Sequence, residues 1–220
     1  MRIDGIQQAA VRRPIILVAL VLILGCNILA AGGAPSTADT TTQAATGAAL
    51  RTFLDSQDLA HLWQKGWRID WYSGKGLWKW PRDGKLHTHC SAFVASVCSR
   101  LNIPLPTPAN NSERGLADRQ ALWLQGKEGA AAGWRGIAIT AAQAVADSGE
   151  LVVVCLYQKS GPGHIGIIRP LEKDSLFVAQ AGKINGARVP LPAAFAAHRG
   201  AVENGLIEFY AHPVPMEKSP

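Results

Sequence analysis

Leu151-Val152-Val153-Val154-Cys155-Leu156-Tyr157, then Gln158-Lys159-Ser160-Gly161-Pro162-Gly163, then His164-Ile165-Gly166-Ile167-Ile168: this stretch decides the fold class. Two apolar runs rich in β-branched residues flank a turn rich in Gly and Pro, the pattern of neighbouring strands. Ser175-Leu176-Phe177-Val178-Ala179-Gln180 and Gly205-Leu206-Ile207-Glu208-Phe209-Tyr210 read as further strands. Upstream the periodicity is helical. Leu50, Phe53, Leu54, Leu59, Leu62 and Trp63 recur near helical spacing. A helix over 91–101 buries Val94, Val97, Cys98 and Leu101, with Cys90 on the same face, and Pro104, Pro106 and Pro108 end it. Further helices fit Ser112–Gln125 and Thr140–Asp147. Residues 66–89, dense in Trp and Gly, read as an irregular loop. Helices first and clustered strands later predict an α+β domain, with N-terminal helices on a central antiparallel sheet. There is no internal repeat.

The chain has 220 residues, room for one substantial domain, and a formal charge of +6. Removing residues 1–25 takes away three arginines and one aspartate and leaves about +4. That excess suits an anionic polymer or membrane surface. Without a dense Lys/Arg stripe it is no nucleic-acid signature. Arg12 and Arg13 precede an apolar run over 15–25, and small residues follow at 30–34, the layout of an export signal over 1–31. Ile23-Leu24-Gly25-Cys26 resembles a lipobox. Cleavage before Cys26, with lipidation and membrane anchoring, therefore stands beside cleavage near 31–34. Both place the protein in the periplasm or cell envelope. Residues 32–48 read as a flexible tether and 49–216 as the domain.

The chemistry gathers at Cys90. It opens a helix, and 74 residues later His164 opens a strand after Gly161-Pro162-Gly163. The exposed N–H groups of a helix start lower a thiol pKa, and a neutral imidazole can take its proton. Ser91 and Ala92 are small enough to leave access. If the strands holding His164 and Gln180 form an antiparallel hairpin, Gln180 sits beside His164 and can orient it; Asn185 is the second candidate. Cys98 and Cys155 read as buried thiols, with a Cys98–Cys155 disulfide as the alternative in an oxidising compartment. His87, His89, Cys90 and His164 could instead hold zinc, but adjacent ligands are cramped for tetrahedral geometry, so neither metal nor cofactor is expected. His61, His198 and His212 show no partner pattern.

His89-Cys90-Ser91-Ala92-Phe93-Val94 resembles the Asp-Cys-Ser-Gly-Phe-Val motif of NlpC-type cell-wall cysteine hydrolases, and Gly163-His164-Ile165-Gly166-Ile167 resembles their His-Val-Gly-Ile strand. The segment from Trp134 to Arg169-Pro170 also resembles the related CHAP amidases. The likeness covers about residues 66–185. It implies a papain-like fold and cleavage of amide bonds in the stem peptides of peptidoglycan, with Cys90 as nucleophile, His164 as base and Gln180 as third residue. It further implies an upstream Tyr at the oxyanion site, matched loosely by Trp71-Tyr72. With His89 and Ser91 these make up the oxyanion and substrate-binding candidates. The chain departs from the family at His89, Ala92 and Gln180, where the family has Asp, Gly, and His or Asn. Two readings from other classes remain: a non-catalytic envelope-binding lipoprotein of the same fold, and a Cys–His acyltransferase or thioesterase. Lys75, Lys79 and Arg82 in the Trp-rich loop favour a polar, anionic substrate over an acyl chain.

Overall fold

The computed structural model describes residues 37–110, 114–198 and 200–215. Residues 1–31, where the sequence predicts an export signal with Cys26, lie outside the described residues. The domain is α+β. Its centre is a six-stranded antiparallel sheet built from β3 (Arg135–Ile137), β4 (Leu151–Leu156), β5 (His164–Ile168), β6 (Phe177–Ala181), β7 (Asn185–Pro190) and β8 (Glu208–His212). The order across the sheet is β3-β8-β4-β5-β6-β7. β1 (Trp67–Ile69) and β2 (Gly76–Lys79) pair separately as a small antiparallel ribbon.

β4 explains why its sequence is apolar without alternation. Leu151, Val153 and Cys155 face a core shared with α2 (Cys90–Arg100) and α3 (Leu116–Gln125). Val152, Val154 and Leu156 face a second core shared with α5 (Ile139–Asp147) and α6 (Leu191–Ala194). A strand covered on both faces needs apolar residues at every position. α4 (Lys127–Ala131) is a single turn following α3.

Three expectations change. The tether is one: α1 (Thr37–Asp55) is helical from Thr37, within the segment assigned to a linker. Gly47 serves close packing, because a Cβ there would collide with the carbonyl oxygen of Asp147 at the end of α5. Leu50 and Leu54 enter the α2-side core, a burial worth about 3–6 kcal/mol for the two side chains. The second concerns α2, which carries no narrow stripe. Every residue from Cys90 to Cys98 is buried, since the sheet, α3 and the Trp63–Tyr72 segment surround it. The third is the last strand, which starts at Glu208 rather than Gly205. Gly205 adopts φ 64° and Leu206 is exposed, so the chain is still turning there. Cys90, Cys98 and Cys155 are free thiols, so the Cys98–Cys155 bridge is not formed.

Candidate active site

The end of the β5–β6 ladder builds the site. Arg169 N–H donates to Phe177 O at 2.8 Å, and the ladder pairs Ile167 with Ala179. By antiparallel alternation Ile165 and Ala181 are the next pair due to exchange hydrogen bonds. The ladder stops before them. His89 N–H donates to Ala181 O at 3.0 Å, and the amide of Ile165 acts on the Cys90 thiol. The first residues of α2 thus fill the parting between the two strands. This brings the Cys90 sulfur against the backbone immediately after His164.

His164 pairs with Gln180 as the hairpin expectation required. Its Nε2 lies 2.5 Å from Gln180 Oε1, and Gln180 Nε2 donates to Ile184 O at 3.0 Å. An amide oxygen only accepts, so the ring proton sits on Nε2 and Nδ1 is left as the basic nitrogen. The imidazole packs edge-on against Phe195 at 4.9 Å. Burial lowers its pKa below the usual value of 6.5, outweighing the opposite pull of the Gln180 hydrogen bond. His164 is therefore neutral at neutral pH.

Cys90 departs from expectation. Its side chain is buried, and desolvation pushes the thiol up to about 11, against the lowering effect of the amides of Ile165, Ser91 and Cys90 itself. Helix-start N–H groups act as foreseen, yet loss of water outweighs them. A thiol at 11 is roughly 10⁻⁴ ionised at pH 7. Iodoacetamide should therefore label Cys90 about a hundredfold more slowly than an ordinary thiol at pH 7, with the rate rising about tenfold per pH unit into the alkaline range. Rapid labelling at pH 7, followed by peptide mass mapping, would contradict this protonation state.

Asp118, in the first turn of α3, is a positioning residue that the sequence did not reveal. Its carboxylate accepts from Gln158 N–H at 3.0 Å and Gly163 N–H at 3.1 Å, clamping both ends of the β4–β5 turn. A Cβ on Gly163 would collide with that carboxylate and with Leu156 O, so only glycine fits just before His164. The only sequence trace was an acidic residue near a helix start.

Other candidates fall elsewhere. The Tyr72 carbonyl accepts from Ser96 Oγ at 2.5 Å and from Arg100 at 2.9 Å, and its ring lies under the Arg100 guanidinium. Those partners sit about 9 and 15 Å along α2 from Cys90, so Tyr72 is no oxyanion donor. Trp71 packs edge-on against Tyr72 and goes with it. Asn185 makes no bond to His164: its Nδ2 donates to Trp63 O, and His164 Nε2 is taken by Gln180. Ser91 is buried, and its carbonyl accepts from Gln120, so it leaves no direct access. The neighbouring cavity of about 1190 Å³ is lined by His89, His164 and His198 among others, and Cys90 does not reach its wall. His89 is 5 % exposed; burial drives its pKa to about 4, and its Nε2 has no partner. His198, for which the sequence shows no partner pattern, stacks 6.1 Å from His164 in the cavity wall. Of the Trp-rich loop, Trp80 reaches the cavity while Trp67 and Trp71 pack on the core. Among the described residues no three His, Cys, Asp or Glu side chains gather as a metal-binding group.

Compared with known protein-family models and with curated proteins, the chain matches none.

Proposed function

We propose that this protein is a papain-like cysteine hydrolase that cleaves amide bonds in the stem peptides of peptidoglycan. The observation that carries the reading is the parted β5–β6 end. There a helix-start thiol lies against the backbone beside His164, whose tautomer Gln180 holds. A buried thiol and a neutral imidazole suit general-base attack rather than a resting thiolate–imidazolium pair. His164 Nδ1 takes the Cys90 proton as Sγ bonds to the substrate carbonyl. α2 starts without a side-chain cap, so its first N–H groups remain to stabilise the oxyanion. His164 then protonates the departing amine, leaving a thioester. Water, deprotonated by His164, attacks the thioester and releases the acid and the thiol. Export to the cell envelope, with or without a lipid on Cys26, belongs to the same proposal and rests on the N-terminal sequence.

The burial of Cys90 favours one competitor, a non-catalytic envelope-binding protein of the same fold. Purified cell wall separates the two. Wild type should release new amines and Cys90→Ala should not; equal release from both would rule out Cys90 as nucleophile.

A further inference from the structure

The ribbon of β1 and β2 carries apolar side chains that nothing covers. β2 is exposed along its whole length, and its outer edge faces no other strand. Successive side chains leave a strand on opposite faces. Leu77 and Trp78 therefore point to the two sides of the ribbon, yet they are 56 % and 54 % exposed. Leu86, in the loop that follows, is half-exposed. Of the chain's seven tryptophans only Trp78 is exposed. The same stretch is basic. Lys75, Lys79, Arg82 and Lys85 are exposed and stand against one acid, Asp83, so residues 75–86 carry +3 of the formal charge of +6. Asp83 is engaged within its own loop, where it accepts from Lys85 N–H at 2.9 Å and pairs with His87 Nε2 at 2.9 Å. Lys79 lies along the ribbon, its Nζ 5.2 Å from the Trp67 ring.

We propose that this ribbon docks on the surface of a lipid bilayer rich in anionic headgroups. Each part of it has a place there. The Trp78 indole suits the headgroup layer, Leu77 and Leu86 the upper end of the acyl chains, and the cations the lipid phosphates, with their stems along apolar surface. An anionic polymer would satisfy the cations but offers nothing apolar to Leu77 and Leu86. The backbone sets the depth. The open edge of β2 carries N–H and C=O groups that hydrocarbon would leave unsatisfied, so the ribbon stays at headgroup level. Among the described residues no helix is long and apolar enough to cross a membrane, so this contact is with the surface alone. Lys85 and Leu86 also line the cavity beside His164, so the docked face includes part of that cavity's rim. The inference needs no catalysis and stands apart from the hydrolase reading.

The test follows tryptophan fluorescence of the full chain on vesicles with brominated acyl chains, which quench on contact. Residues 1–35 hold no tryptophan, so attachment through the N-terminus is silent in this signal. Phosphatidylcholine vesicles with about one-third phosphatidylglycerol should quench about threefold more than phosphatidylcholine alone, and the gap should narrow at about 0.5 M salt. Trp78→Phe should remove most of the quenching without lowering Tm. Lys75→Gln with Arg82→Gln should keep Trp78 and lose most of the preference for anionic vesicles. No quenching, equal quenching on the two vesicles, or undiminished quenching in Trp78→Phe would overturn the proposal. Absent quenching together with sedimentation on purified cell wall, lost in Lys75→Gln with Arg82→Gln, would overturn it in favour of an anionic polymer.

Discussion

His164→Ala is expected to lower kcat/KM for amide cleavage about 10²- to 10⁴-fold, the usual contribution of a positioned general base. Gln180 should show itself through the pH profile. Because the acid limb of kcat/KM reports protonation of the free enzyme's base, it should lie below 6.5, where burial has moved His164. The Gln180 hydrogen bond raises that pKa, so Gln180→Ala should shift the limb further down and cost about tenfold in rate. Gln180→Glu puts a negative charge 2.5 Å from the ring position and should shift the limb up. If neither substitution moves the limb while both merely lower stability, Gln180 is a packing residue and His164 is not the base it orients.

Arg169→Met is expected to destabilise the fold by about 3 kcal/mol, read from denaturant unfolding. Arg169 is 4 % exposed and follows β5. Its guanidinium forms a bidentate pair with Asp55 at the end of α1, at 2.6 and 3.0 Å, and a short bond to Glu172. Glu172 keeps Arg188 as a partner and Asp55 is half-exposed, which holds the cost to the low end for breaking a buried pair. Burial pushes the Glu172 carboxyl up, but the Arg188 hydrogen bond and the two guanidinium charges outweigh it and hold its pKa below 4.5. A depressed acid stabilises above its unfolded pKa, so this contribution is lost as pH falls through and below about 4.5. Arg169→Met combined with Glu172→Leu and Asp55→Asn should recover much of the loss, because no unpaired buried charge remains. A single variant as stable as wild type would show that α1 is not held by this network.

The same network holds α1 by a contact that its own sequence does not announce. Asp55 and Arg169 lie 114 positions apart, and nothing in Gly-Ala-Thr composition announces a distant guanidinium. Small residues usually mean a tether because they bury little area; here Gly47 permits α1 to lie close on α5. By contrast the turn over 158–163 was legible, since Gly, Pro and β-branched runs act through local backbone preferences.

Local sequence sufficed for the α+β class, for Cys90 at a helix start, and for His164 and Gln180 on adjacent strands. Each depends on periodicity or turn chemistry within a few residues. The tertiary structure alone decided three things. Strands β5 and β6 part to admit α2, so the thiol lies against the backbone that follows His164. Asp118 pins the turn that presents His164. Desolvation outweighs the helix-start amides and leaves Cys90 protonated at rest. All three depend on which distant segments exclude water from one another, and neither hydropathy nor spacing records that.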